Sequence, residues 1–261
     1  MAPMGKTRRW SLRFVTVAVV TLAVSTAPLG GVAAQQTDSA GIQPFVAVHD
    51  GECTPLTPVS GTDSAREFYD YRVEDPDNPY SNTTGDSYAS EGTQALQRPN
   101  ASVVFLYVET NGTSDDTVSL VFVNGNEGNQ SSTGGYATVN ITGLPADGRW
   151  AVKDDDYDRS TSYDDWSTEA GYTVVDWAWS AASTDGGVYT GLDGNTSIVL
   201  NASFNEDATF YENDYYDGTV EEWELLSNES DGDVDRTELD PDEPLAIAAG
   251  SCDAFEDDEE S

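Results

Sequence analysis

From residue 102 onward the apolar residues of this chain recur in short runs, most with a period of two and each bounded by Gly, Asn, Asp or Pro. A period of two puts alternate side chains on opposite faces of an extended strand, so the pattern admits little besides a β-architecture. Tyr136 to Thr142 is the clearest case: Ala137, Val139 and Ile141 face one way, Thr138 and Asn140 the other. Thr196 to Phe204 repeats it, with Ile198, Leu200, Ala202 and Phe204 set against Val199, Asn201 and Ser203. Ser102 to Glu109 is instead a continuous apolar run, which suits a strand covered on both faces. Thr117 to Val123 is expected to pair with it across the turn region at Asn111-Gly112. Gly148 to Val152, Tyr172 to Trp179, Gly187 to Leu192 and Pro244 to Ala249 continue the series, the last as a closing strand; Val220 to Leu226 reads as a short helix or an edge strand. Ahead of these, Ser64 stands three residues before Glu67, a capping-box spacing that opens a short helix over Ser64 to Arg72. Glu74 to Arg98, rich in Pro, Asn, Ser and Gly, reads as a long surface loop. Seven or eight such strands predict an all-β fold: an antiparallel β-sandwich with one or two short helices and long acidic loops.

Charge bounds where such a sandwich can work. All 48 acidic residues follow position 34, against six Arg and a single Lys, Lys153. Removing the four basic residues before that point takes the net charge from −37 to −41. At low ionic strength such a chain repels itself, whereas in molar salt the Debye length is about 3 Å and the repulsion is screened. The composition therefore points to a very salty environment and argues against nucleic acid or anionic lipid as partners.

The first 34 residues read as a leader. Thr7-Arg8-Arg9-Trp10-Ser11-Leu12 precedes an apolar run from Phe14 to Val24 and the small residues Val32-Ala33-Ala34. The segment resembles a twin-arginine signal peptide cleaved after Ala34, with an ordinary basic region for the general secretory route as the alternative. The run is about eleven residues, short of the roughly twenty needed to span a bilayer, so no membrane insertion is expected after cleavage. With no Cys beside the cleavage site and an acidic run from Glu256 to Glu260, retention at a surface is expected to be non-covalent. The expected organisation is a leader over 1–34, an N-terminal tail over 35–52, one domain over 53–252 and an acidic tail over 253–261.

Cys53 and Cys252 bracket that domain. In an oxidising exterior they read as one disulfide joining its two ends; two buried free thiols are the alternative. Eight Asn-x-Ser/Thr sequons occur, at Asn82, Asn100, Asn111, Asn129, Asn140, Asn195, Asn201 and Asn228. Asn140 and Asn201 fall on the outward side of their alternating segments, where a glycan can be accommodated.

The strings Glu67-Phe68-Tyr69-Asp70-Tyr71-Arg72, Leu96-Gln97-Arg98, Phe105-Leu106-Tyr107, Gly143-Leu144-Pro145, Asp176-Trp177-Ala178-Trp179, Thr184-Asp185-Gly186-Gly187 and Phe204-Asn205 resemble a recurrent exported acidic β-domain of halophilic archaea. The resemblance covers roughly 53–252. It implies secretion and frequent attachment to cell-surface sorting signals, and it supplies no activity and no site residues.

Candidate chemistry is limited by residue type. Asp231, Asp233 and Asp235 stand at positions 1, 3 and 5 of a calcium-loop spacing, with Asp242 at position 12; position 6 is Arg236 where Gly makes the turn, so a solvated acidic loop competes with a calcium site. Asp154-Asp155-Asp156-Tyr157-Asp158 with Asp164-Asp165 offers oxygen ligands on the same terms. After the leader there is one His, His49, so the usual zinc and copper ligand sets cannot be assembled, and a Ser-His-Asp hydrolase has no nucleophile elbow. A glycan hydrolase needs only two carboxylates and an aromatic platform; Asp176, Asp185 and Asp154 to Asp156 are its candidates, with Trp177 and Trp179 as platform or core. The expectation is an exported, N-glycosylated, salt-adapted binding or structural module. Its expected partners are a surface-layer glycoprotein, extracellular polysaccharide or another exported protein; the alternative is a secreted carboxylate-dependent glycan hydrolase.

Overall fold

The computed structural model describes residues 43–73, 78–84, 88–110, 117–128, 133–156, 163–213, 215–229 and 233–253. The leader, Asn111, Asn129, Asp158, Asp231 and the tail beyond Asp253 lie outside the described residues. Strands β1 (Phe45–His49), β2 (Glu52–Leu56) and β3 (Val59–Gly61) precede helix α1 (Ala65–Tyr69). After it come β4 (Tyr71–Val73), β5 (Thr83–Thr84), β6 (Ala89–Ser90), β7 (Ala101–Glu109), β8 (Thr117–Gly125), β9 (Gly135–Thr142), β10 (Arg149–Lys153), β11 (Asp165–Glu169) and β12 (Tyr172–Trp179). The series ends with β13 (Thr184–Leu192), β14 (Ser197–Phe204), β15 (Glu222–Asn228), β16 (Val234–Glu238) and β17 (Leu245–Ala249).

These make two large sheets and a small one. The first runs β11-β12-β9-β14-β17-β1-β2, the second β10-β13-β8-β7-β15-β16 with β3 also on β7, and β5-β4-β6 form the third. The large sheets share a core of inward residues: Val139, Ile141, Ile198, Leu200 and Ile247 from the first, Val104, Leu106, Leu120 and Phe122 from the second. A further apolar layer lies on the other side of the second sheet. There Val103, Phe105, Tyr107, Val121 and Val123 pack against Ala65, Tyr69, Tyr71, Val73 and Leu96. That second cover explains the unbroken apolar run of β7, since both of its faces are buried.

Local chemistry sets the cover in place. Ser64 caps α1, its hydroxyl accepting from the Glu67 amide while the Glu67 carboxylate accepts from the Ser64 amide. The helix stops at Tyr69 rather than Arg72 because Asp70 takes a left-handed conformation, φ 46°, which turns the chain into β4.

Several expectations change. Residues 35–52 are not all tail: β1 lies between β17 and β2, and Phe45, Val46 and Ala47 are buried. Five residues flanked by polar ones are too short for their period to declare itself. Val220 to Leu226 is neither helix nor edge, because β15 sits between β7 and β16, parallel to the first and antiparallel to the second. The sandwich is thus antiparallel except where β15 and β3 each run parallel to one half of β7. The strands exceed the seven or eight read from the pattern, since short ones such as β3, β4 and β16 fall in polar stretches. Cys53 and Cys252 are joined as a disulfide, with Cα atoms 5.6 Å apart. Among the described residues no helix is long and apolar enough to cross a membrane.

Candidate functional site

Where the end of β10 and the start of β13 meet α1, β4 and β12, the fold collects four aspartates and two tyrosines. Asp154 follows β10, its amide donating to the Gly186 carbonyl at 3.2 Å. Asp155 comes next in left-handed conformation, Asp164 precedes β11, and Asp185 lies in β13. Asp185 depends on Gly186 beside it: a Cβ there would lie 2.2 Å from the Phe122 carbonyl oxygen, so only glycine lets β13 approach β8 so closely. Tyr69 donates to Asp154 Oδ2 at 2.5 Å, and Tyr71 donates to Asp155 Oδ1. Asp164 Oδ1 accepts from the Ala178 amide at 3.2 Å and Asp185 Oδ1 from the Gly186 amide at 2.7 Å.

The other oxygens of three of these carboxylates, Asp154 Oδ1, Asp164 Oδ2 and Asp185 Oδ2, are buried away from water; no donor reaches Asp154 Oδ1, whereas the Asp164 and Asp185 side chains hydrogen-bond each other. Burial first, and repulsion from the neighbouring aspartates second, push all three well above the ordinary aspartate range. The same burial, with Asp154 close by, pushes Tyr69 and Tyr71 up, so both hydroxyls remain donors at neutral pH. Carboxyl groups this crowded resist ionising together, so the cluster holds its protons to higher pH than isolated aspartates do. Among the described residues no three His, Cys, Asp or Glu side chains are placed to hold a metal ion.

The glycosidase candidates are therefore divided. Asp154 and Asp185 do meet, inside the fold at 1% exposure each, whereas Asp176 stands apart on β12 and accepts from Thr138 Oγ1 at 2.5 Å. Trp177 and Trp179 are core, at 1% and 3% exposure. His49 belongs to β1 rather than to a tail. Its Nε2 accepts from the Asp240 amide at 2.8 Å and its Nδ1 lies 3.3 Å from the Pro244 carbonyl, so the ring ties the 240–244 turn to β1.

From Val234 onward the calcium spacing is strand rather than loop, and Asp231 lies outside the described residues. Val234–Glu238 is extended and pairs with β15, so Asp235 sits within a strand, Asp233 precedes it and Asp242 follows a further turn beyond it. Pairing with the apolar strand β15 outweighs the weak loop propensity that the acids alone implied.

The sequons differ in setting. Asn195 and Asn201 are exposed, and Asn100, Asn140 and Asn228 are half-buried. Asn140 and Asn201 are directly opposed across β9 and β14. Asn82 is tied down on both sides of its amide: its Oδ1 accepts from Arg66 Nε at 2.7 Å and its Nδ2 donates to the Arg66 carbonyl.

A cleft of about 340 Å³ opens at the other end of β10 and β13. Ser64, Arg66, Tyr80, Glu109, Arg149 and Trp150 are among the residues around it, and Ser119 of β8 lies at its floor with an unpartnered hydroxyl. No signal in the sequence marked this cleft, because its parts come from six separated segments. Comparison with protein-family models, with curated proteins and with solved structures finds no match.

Proposed function

We propose that this chain is an exported, N-glycosylated, salt-adapted extracellular module that binds a partner and does not transform it. The partner is a surface-layer glycoprotein, extracellular polysaccharide or another exported protein. One observation supports the reading above the others. Asp154 and Asp185, the two candidate carboxylates that meet, lie inside the fold, while the cleft open to solvent carries two arginines that make no ion pair among the described residues. Buried acids serve the packing of the sandwich, and donors that line an open cleft beside aromatic rings serve recognition. The disulfide agrees with an oxidising exterior.

The test is co-sedimentation of the purified protein, in molar KCl, with cell-surface fractions and extracellular polysaccharide, together with an assay for new reducing ends. Retention without chain cleavage is the expected result. Release of new reducing ends would overturn the reading in favour of the glycan hydrolase.

A further inference from the structure

Cations are scarce in this chain, so the place of each one is informative. Six are described. Arg72 pairs with Asp70 at 2.6 Å, Arg98 with Glu224 at 2.9 Å, Lys153 with Asp156 at 3.3 Å and Arg236 with Glu224 at 2.5 Å. Arg66 and Arg149 make no ion pair among the described residues, and both line the same cleft. With 48 acids against seven cations after position 34, two arginines that line one cleft with no ion pair among the described residues are a departure from the other described cations.

Their settings differ usefully. Arg66 is fixed: Nε donates to Asn82 Oδ1, and Nη2 donates to the Pro79 and Ser81 carbonyls at 2.9 and 2.8 Å. These acceptors are neutral and hold its plane, and among the described residues no carboxylate pairs with the charge and nothing engages Nη1. Arg149 begins β10 and is exposed, with no hydrogen bond to its side chain among the described residues. Around them stand the hydroxyl residues Ser64, Thr117, Ser119 and Thr190 and the partly exposed rings of Tyr80 and Trp150. Glu109 is the one acid of the lining.

We infer that this cleft binds an acidic saccharide, a sugar ring bearing a carboxylate. The inference rests on the binding-module reading above. Two guanidinium groups, one already immobile, supply charge-assisted hydrogen bonds to the anionic group, and such contacts act at hydrogen-bond distance. That matters in molar salt, where a Debye length of about 3 Å abolishes long-range attraction and leaves only direct contacts. Ring hydroxyls meet the Ser and Thr side chains, and the apolar face of the ring meets Tyr80 and Trp150. A free inorganic anion would use the arginines alone.

The experiment is titration calorimetry in molar KCl with trigalacturonate, with neutral maltotriose and with potassium sulfate. It uses the parent protein, Arg149→Gln and Arg149→Lys, with melting of each variant recorded first. Binding of trigalacturonate that weakens at least tenfold in Arg149→Gln, is partly restored in Arg149→Lys and exceeds that of maltotriose is the expected result. Equal binding of the neutral and acidic trisaccharides, or no change in Arg149→Gln, would overturn the inference and leave the binding-module reading standing. Sulfate binding as tight as trigalacturonate would also overturn it, since the cleft would then take a small anion and no sugar. If trigalacturonate fails to bind at all the acidic saccharide is excluded, whereas the module reading falls only if co-sedimentation fails as well.

Discussion

Replacing Cys53 and Cys252 together by serine removes the one covalent link in the fold, and its effect can be worked out from position alone. The bridge closes a loop of 199 residues, for which the loop-closure entropy corresponds to about 5 kcal/mol at 25 °C. Both cysteines are half-buried, so two serine hydroxyls lose little packing. The ladder around them also survives: Cys53 on β2 opposes Val48 of β1, and β1 is paired in turn with β17. The loss therefore falls on the unfolded chain, which gains freedom that the native sheet never had. For a domain of about 200 residues, 1 kcal/mol moves the melting temperature by about 2–4 °C, so the double variant should melt about 10–20 °C lower. Urea unfolding in molar KCl is the second readout: the midpoint falls, and the m value rises because the unlinked chain exposes more surface when unfolded. Reduction of the parent protein should reproduce both changes. A variant whose midpoint and m value match the parent's would refute the reasoning and show that the β2-β1-β17 ladder alone fixes the two ends.

Three further outcomes are expected. The folded-state pKa values of Asp154, Asp164 and Asp185 are raised by burial, so the stability they contribute is complete below their unfolded value of about 3.9 and is lost as pH rises through the folded values; urea midpoints in molar KCl should rise on acidification from neutral pH, and Asp154→Asn, which keeps an acceptor for Tyr69, should flatten that slope and gain about 1–3 kcal/mol at neutral pH, whereas a lower midpoint in the variant would show that Asp154 Oδ1 has a partner. Glycopeptide mass spectrometry of the secreted protein should find Asn201 or Asn140 modified but never both on one molecule, because opposed residues have Cβ atoms about 5 Å apart, and should find Asn82 unmodified; a doubly modified 140/201 species would contradict the register. Dilution from molar KCl to about 0.1 M lengthens the Debye length from about 3 to about 10 Å and should lower the melting temperature followed by circular dichroism, an unchanged value counting against salt adaptation.

The strands that the sequence made legible are those with one wet face. Asn140 and Asn201 mark the outward side of β9 and β14 because their neighbours Val139, Ile141, Leu200 and Ala202 are drawn into the core. The sequence also supplied the α1 cap, since Ser64 and Glu67 settle it locally. What it concealed is tertiary. β1 and β16 are five residues each and owe their existence to neighbours already in the sheet, and β15 is parallel to a strand more than 100 positions away. The aspartate cluster was visible only as runs: Asp154, Asp164 and Asp185 are unremarkable among 48 acids until the fold removes three of their oxygens from water. Tyr69 and Tyr71, which supply the donors, carry no signal of that role along the chain.

The two buried acid sites of the second sheet show how differently one chain can neutralise charge. Glu224 on β15 is 5% exposed and sits between Arg98 and Arg236, so cations compensate its burial. Asp154 and Asp185 are buried more deeply and pair with no cation among the described residues; tyrosine, backbone and the Asp164 carboxyl reach them instead, and burial strengthens their hold on protons. A chain with so few basic residues cannot answer every buried carboxylate with an arginine. If cations were distributed merely to offset burial, Arg66 and Arg149 would stand beside that uncompensated cluster. They stand at the opposite end of β10 and β13, around a cleft whose lining holds one acid, Glu109, and neither makes an ion pair among the described residues. Stability would have been better served by moving either one, and that cost is the physical argument that their position answers to a ligand.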